Sequence, residues 1–180
     1  MAVTHVVYEA DGWGIGELVA ADGRVVWHEL PVPGRAAGPG DPSRTPSRPG
    51  HGAVVARKSS QGDRGFVAEV VRLVQAFLAG EEDPRSLVTV PVDLEYETSF
   101  LRRCAEELRA VPPGEVVTYG ELAALAGAPR AARAAGSFCA RNRLGLFVPC
   151  HRVVSADGLG SYGSLGLAYK RRLLELEGAL

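Results

Sequence analysis

The sequence predicts a mixed α/β (α+β) chain of 180 residues, with a small strand-bearing half followed by a mainly helical half. Three patterns carry that expectation. Two apolar runs flank Asp22-Gly23, a dipeptide suited to a tight hairpin turn. Apolar residues recur at three- and four-residue steps from Val67 to Leu78, the period of an amphipathic helix. Beyond Ser99 the chain reads as short helices broken at Pro112-Pro113-Gly114 and Gly127-Ala128-Pro129.

In order, Val3 to Tyr8 and Gly16 to Ala20 are strand-like, residues 21–24 form the turn, and Val25 to Leu30 returns. Residues 31–64 are rich in Pro, Gly, Arg and Ser, a composition that reads as a flexible loop. Gly65 to Gly80 is the amphipathic helix, and Val88 to Leu94 is expected to be extended. These segments make an N-terminal support domain over 1–90. The second domain, 91–180, opens with a helix for which Ser99 is the expected cap, carrying Phe100, Leu101, Cys104, Leu108 and Val111 on one face. Val116 to Gly120 is short and extended. Thr118 and Glu121 have the spacing of a capping box for a helix to Ala126, and a second helix runs from Arg130 to about Ala140. Two short helices about a glycine-containing turn make a helix-turn-helix. The second helix is built of small residues, Ala131-Ala132-Arg133-Ala134-Ala135-Gly136-Ser137. Helix propensity accounts for the alanines, and so does close approach of the backbone to a groove; composition leaves both open.

Hydrophobic residues make up 46% of the chain, enough for a real core. The N-terminus lacks the pattern of a signal peptide, and no apolar run is long enough to span a bilayer, so the expectation is a cytoplasmic protein without membrane contact. Three cysteines, Cys104, Cys139 and Cys150, have no metal-type spacing and suit free thiols in a reducing compartment. His5 and His28 have no cysteine near them in sequence, so no metal and no cofactor are expected. The net charge is −1, yet residues 1–97 hold 9 basic and 14 acidic side chains, whereas 98–180 hold 11 and 7. Arg130, Arg133, Arg141, Arg143 and Arg152 lie in a stretch without acids. Such a run is often a solvated helix face; beside Cys150 it points to phosphate contact.

The stretch Phe147-Val148-Pro149-Cys150-His151-Arg152-Val153-Val154 holds the chemistry. Its apolar flanks read as a short buried strand, and Pro149 stiffens it. His151 is a base near neutral pH, and a positive charge such as Arg152 favours thiolate. Pro-Cys-His-Arg-Val resembles the active-site word of the O6-alkylguanine-DNA alkyltransferase family. The resemblance runs from about Thr98 to Gly178. It includes Phe100 in Thr-Ser-Phe-Leu-Arg-Arg-Cys and Pro113-Gly114-Glu115-Val116-Val117-Thr118-Tyr119-Gly120-Glu121-Leu122-Ala123. It continues through Arg133-Ala134-Ala135-Gly136, Asn142, and the closing Lys170 and Leu173-Leu174-Glu175-Leu176-Glu177-Gly178.

The resemblance implies a repair protein that binds double-stranded DNA through the minor groove and flips an O6-alkylguanine into a pocket. It then transfers the alkyl group to Cys150 once, with O4-methylthymine as a second substrate, acting as a monomer. By the same resemblance His151 takes the thiol proton through a water and Glu177 orients it. Tyr119 turns a phosphate and contacts the base, Asn142 is the hinge, and Arg133 fills the stack. Ala132, Ala134, Gly136, Ser137 and Arg141 complete the DNA face, and Pro149, Val153, Tyr162, Ser164 and Phe100 the pocket. The chain departs from the family pattern in having Arg143 and Gly145 where prolines are usual, and Ser164-Leu165 within a glycine pair; Gly145 is expected to loosen the pocket wall. The alternative is a lesion-binding relative that transfers nothing, which would lack the cysteine. A cysteine hydrolase would need a distant histidine and an oxyanion hole, and a helix-turn-helix regulator leaves the thiol unexplained.

Overall fold

The computed structural model describes residues 3–34, 61–95 and 97–180. Most of the Pro/Gly-rich segment expected over 31–64 therefore lies outside the described residues. The chain opens with an antiparallel meander, β1 (Val3–Ala10), β2 (Gly14–Ala21) and β3 (Arg24–Val32). Asp22 and Gly23 both take positive φ, as the tight turn requires. Gly14, at φ +100°, lies so close to Val32 that a Cβ would sit 2.2 Å from its carbonyl oxygen, so only glycine fits.

Helix α1 (Gln61–Leu78) covers this sheet with Val67, Val70, Val74, Phe77 and Leu78 buried. It begins four residues before the expected start, and Asp63 in its first turn accepts the Gly23 N–H at 3.1 Å. The expected extended run from Val88 is partly wrong. Residues Arg85–Thr89 form a short helix, α2, started by Asp83-Pro84, where the Asp83 carboxylate accepts the Arg85 N–H at 2.8 Å. Only Val92 joins the sheet, in a bridge to Val25.

Helix α3 (Ser99–Ala110) buries Cys104, Ala105 and Leu108. Its cap is Thr98, one residue before the expected Ser99, because Thr98 keeps the extended backbone a cap needs. A two-stranded parallel sheet then pairs β4 (Val117–Thr118) with β5 (Val153–Val154). The capping box of Thr118 and Glu121 opens α4 (Tyr119–Leu125), and α5 (Ala132–Arg141) follows across the turn at Gly127. The chain closes with α6 (Gly166–Leu176). One contiguous core joins both halves. At its edge Trp13 donates to the Leu78 carbonyl at 2.9 Å and carries the Arg172 guanidinium 3.6 Å above its ring.

The sheet reaches the second half through His28. Its backbone N–H donates to the Arg143 carbonyl at 2.7 Å and its Nδ1 donates to the Gly145 carbonyl at 2.6 Å. Since Nδ1 carries the proton, Nε2 accepts the Tyr8 hydroxyl at 2.6 Å. Gly145, where a looser pocket wall is expected, thus has its carbonyl tied to the sheet. Burial pushes the His28 pKa down to about 4, against the Gly145 bond and Glu29, which raise it. The unfolded chain takes up this proton below about 6.5, whereas the fold resists until about 4. Stability is then full above pH 6.5 and falls as pH drops towards 4. Urea denaturation at pH 7, 6, 5 and 4.5 is expected to show that fall, with a gentler slope in His28→Asn than in the wild type.

Candidate active site and DNA-binding face

Cys150 does not lie on a strand. Cys150–Arg152 is one turn of 3₁₀ helix, and β5 begins only at Val153. Pro149 (φ −79°, ψ 67°) bends the chain, so the Cys150 N–H reaches the Val148 carbonyl at 2.8 Å and the Arg152 N–H reaches Pro149 at 2.9 Å. With three residues per turn, neighbouring side chains diverge by about 120° rather than pointing to opposite faces. His151 and Arg152 are therefore both carried inward to Glu177, and all of 144–153 is buried.

His151 Nε2 lies 3.0 Å from Glu177 Oε1. A carboxylate only accepts, so Nε2 holds the proton and Nδ1 presents its lone pair. That Nδ1 is buried and has no partner among the described residues. Arg152 grips both Glu177 oxygens, at 2.8 and 2.7 Å, and gives a third N–H to the Val111 carbonyl at 2.6 Å. Burial works to raise the Glu177 pKa, but Arg152 and His151 outweigh it and hold the carboxylate at about 2. Burial pushes the His151 pKa down, with Glu177 opposing, so the imidazole rests neutral at physiological pH. The expectation that Arg152 promotes the thiolate, and that it belongs to the basic surface, is corrected: its charge is buried and spent on Glu177.

Burial also raises the Cys150 pKa, so the resting group is a thiol. The Asn142 amide, the Tyr162 hydroxyl and the Lys170 ammonium favour the thiolate and offset part of that rise. Asn142 joins helix to loop as well: it donates to the Val148 carbonyl at 2.7 Å and accepts the Leu144 N–H at 3.0 Å. The Tyr162 hydroxyl is buried without a full hydrogen bond among the described residues. Lys170, fully buried on α6, donates to the Val153 and Leu159 carbonyls and fastens the glycine loop to β5. Sequence reasoning assigns it no role, although its spacing from Leu173 and Leu174 puts it on the buried face. Arg109 escapes sequence reasoning outright; it donates to the carbonyls of Val88, Val90 and Phe147.

On α5, Ala135 and Phe138 face the core, while Arg133, Ala134 and Ser137 are exposed and Ala132 and Gly136 are half-buried. Arg130 and Arg141 are exposed too, and Arg141 bonds back to the Ser137 carbonyl at 3.1 Å. The Tyr119 ring fits between Gly136 and Gly160, at ordinary contact distance from a Cβ built on the first and 3.3 Å (hydroxyl) from one built on the second. Pro149 and Val153 are buried beside the thiol in sequence. Ser164 is exposed on a 3₁₀ turn (Gly163–Leu165), and Phe100 is half-buried in the first turn of α3.

A buried thiol with an inward-facing base, beside a helix-turn-helix whose outer helix is small and basic, defines a DNA-binding protein with a cysteine nucleophile. A family model described as the DNA binding domain of 6-O-methylguanine DNA methyltransferase matches residues 99–179. The chain is 43% identical over 117 residues to the methylated-DNA--protein-cysteine methyltransferase of Mycobacterium leprae (strain TN), covering 64% of this chain and 67% of that one. The crystal structure of a variant of the Mycobacterium tuberculosis O6-methylguanine methyltransferase aligns with a TM-score of 0.71 and 30% identity, over 98% of this chain and 93% of that one. That of Mycobacterium tuberculosis OGT in complex with DNA aligns at 0.66 and 30%, over 97% and 92%. The chain belongs to the O6-methylguanine-DNA methyltransferase family.

Replacing Glu177 by Gln keeps its shape but leaves Arg152 buried without a counter-charge. We expect a loss of roughly 3 kcal/mol in urea denaturation at pH 7, the scale for breaking a buried pair. The native carboxyl stays ionised down to about 2, below its unfolded value near 4.3, so its stabilising share is full above pH 5 and lost as pH falls from about 4 towards 2. The gap between wild type and Glu177→Gln should therefore be flat from pH 8 to 5 and narrow below about 4.

Proposed function

We propose that this protein repairs alkylated DNA by direct reversal, moving the alkyl group from O6-alkylguanine to Cys150 Sγ in a single turnover. The observation that carries the reading is a buried Cys150 thiol followed in the same 3₁₀ turn by His151, whose buried Nδ1 has no partner among the described residues and whose Nε2 is held by Glu177 and, behind it, Arg152. The Cys150 proton passes to Nδ1 through a water, and Glu177 stabilises the imidazolium. The thiolate attacks the alkyl carbon; a C–S bond forms and the C–O6 bond breaks. The electron pair goes to the purine, which regains a proton as guanine, with the Tyr119 hydroxyl donating to the departing base. The product thioether is not reversed, so the protein is consumed.

The α5 helix enters the minor groove with its small face, and exposed Arg130, Arg133 and Arg141 meet phosphates or the stack. Arg133 fills the gap left by the flipped base, which offsets an extrusion cost of a few kcal/mol. Tyr162, Pro149 and Val153 line the pocket, with Ser164 and Phe100 at its margins, and O4-methylthymine fits the same chemistry. No helix among the described residues is long and apolar enough to cross a membrane. Action as a monomer in the cytoplasm, where thiols stay reduced, completes the reading.

Intact mass spectrometry after mixing with duplex DNA containing O6-methylguanine is the first test. A gain of one methyl group is expected on the wild type, mapped to Cys150, and none on Cys150→Ala. Tight lesion binding without any gain would move the protein to the lesion-binding alternative. Arg133→Ala is expected to slow transfer from duplex DNA by about tenfold or more, while leaving transfer from free O6-benzylguanine, which needs no flipping, within about threefold.

A further inference from the structure

Leu146 takes φ +72°, a left-handed conformation that costs a β-carbon-bearing residue on the order of 1 kcal/mol or more. It is buried, as are its neighbours Leu144, Phe147 and Val148. The angle fixes how the Gly145–Leu146 peptide plane is turned, and the carbonyl of that plane belongs to Gly145. This is the carbonyl that His28 Nδ1 holds at 2.6 Å. Tyr8, bonded to His28 Nε2 at 2.6 Å and stacked with a 5.9 Å centroid separation, keeps the imidazole in the required tautomer. The His28 ring also lies 5.0 Å from that of Phe147.

We propose that His28, oriented by Tyr8, is a positioning residue for alkyl transfer: it holds the strained Gly145–Leu146 peptide and so fixes the loop that presents Cys150. The inference rests on the repair function above and adds to it a role for the N-terminal sheet. The loop has further ties: the backbone bridge of His28 to Leu144, with the His28 N–H on the Arg143 carbonyl, Asn142 at Leu144 and Val148, and Arg109 at Phe147. None of these bonds ends on the Gly145 carbonyl, which His28 Nδ1 holds. Without the imidazole donor that peptide is free to turn over, Leu146 relaxes to negative φ, and the bond from the Val148 N–H to the Leu144 carbonyl, 2.8 Å in the intact loop, loses its geometry. Cys150 follows at once, because its own N–H is bonded to the Val148 carbonyl.

The test uses His28→Leu, which fills the space without a donor, and His28→Asn, whose amide keeps a donor near the Nδ1 position. Single-turnover transfer from O6-methylguanine duplex and the Kd for the same duplex are measured below the melting temperature of each variant. His28→Leu is expected to slow transfer by about tenfold or more, since an ångström of misplacement costs on the order of a hundredfold. Its Kd should stay within about twofold, because α5 is untouched. His28→Asn is expected to recover most of the rate. Amide exchange of Val148 and Cys150 should quicken in His28→Leu relative to β5 and α5, and return in His28→Asn. A folded His28→Leu that transfers at the wild-type rate with unchanged exchange at these amides overturns the proposal. If the wild type itself transfers nothing, the repair reading fails, and the exchange pattern alone then decides whether the clamp exists.

Discussion

The rest of the site depends on one buried ion pair. Arg152 and Glu177 are each 1% exposed at the side chain, and neither charge tolerates that burial alone. Glu177 follows α6 at its C-terminal cap, where the helix dipole disfavours a carboxylate, so the arginine fork is what keeps it ionised. The third guanidinium bond, to Val111, reaches the end of α3. Three segments distant in sequence are thereby fixed to one point: the end of α3, the Cys150 turn and the end of α6. The His151 tautomer then follows, because an ionised Glu177 accepts from Nε2 and leaves Nδ1 as the only lone pair.

The same burial explains a thiol that is quiet at rest. Desolvation raises Cys150 more than Asn142, Tyr162 and Lys170 lower it, and it holds His151 neutral. A nucleophile that is used once loses by reacting with stray electrophiles. On the proposed mechanism, a protonated thiol and a neutral base react only when a substrate supplies an alkyl carbon in line and a leaving group ready to take charge. Reactivity is placed in the complex rather than in the free protein, in keeping with differential stabilisation of the transition state.

Much of this is legible in the sequence, for identifiable reasons. The hairpin at Asp22-Gly23, the capping box at Thr118 and Glu121, and the helical period of α1 are local signals, and local energetics decide them. Arg85–Thr89 misleads because Val88-Thr89-Val90 looks extended, while the Asp83-Pro84 start lies outside that window. The strand expected at Cys150 fails for a related reason: valines flank it, but Pro149 and the Arg152 N–H bond close a turn first. Arg152 reads in sequence as a charge acting on its neighbour. Its partner stands 25 positions away, and no spacing rule connects the two. His28 is weighed in the sequence only as a metal ligand and set aside, since a histidine on a strand does not reveal which carbonyl it will meet.

Gly145 shows how the two kinds of information combine. Taken position by position, a glycine where a proline is usual removes a stiffener, and a looser wall follows. In the fold, the partner of its carbonyl sits on β3, in the half of the chain without evident chemistry. A Cβ at Gly145 would lie 3.3 Å from Leu30, so the sheet packs tightly against a loop that has no side chain at this place. The N-terminal half thus meets the cysteine loop where the loop has no side chain of its own, through His28 on the Gly145 carbonyl and Leu30 against Gly145, and a substitution at either position changes a contact of that loop.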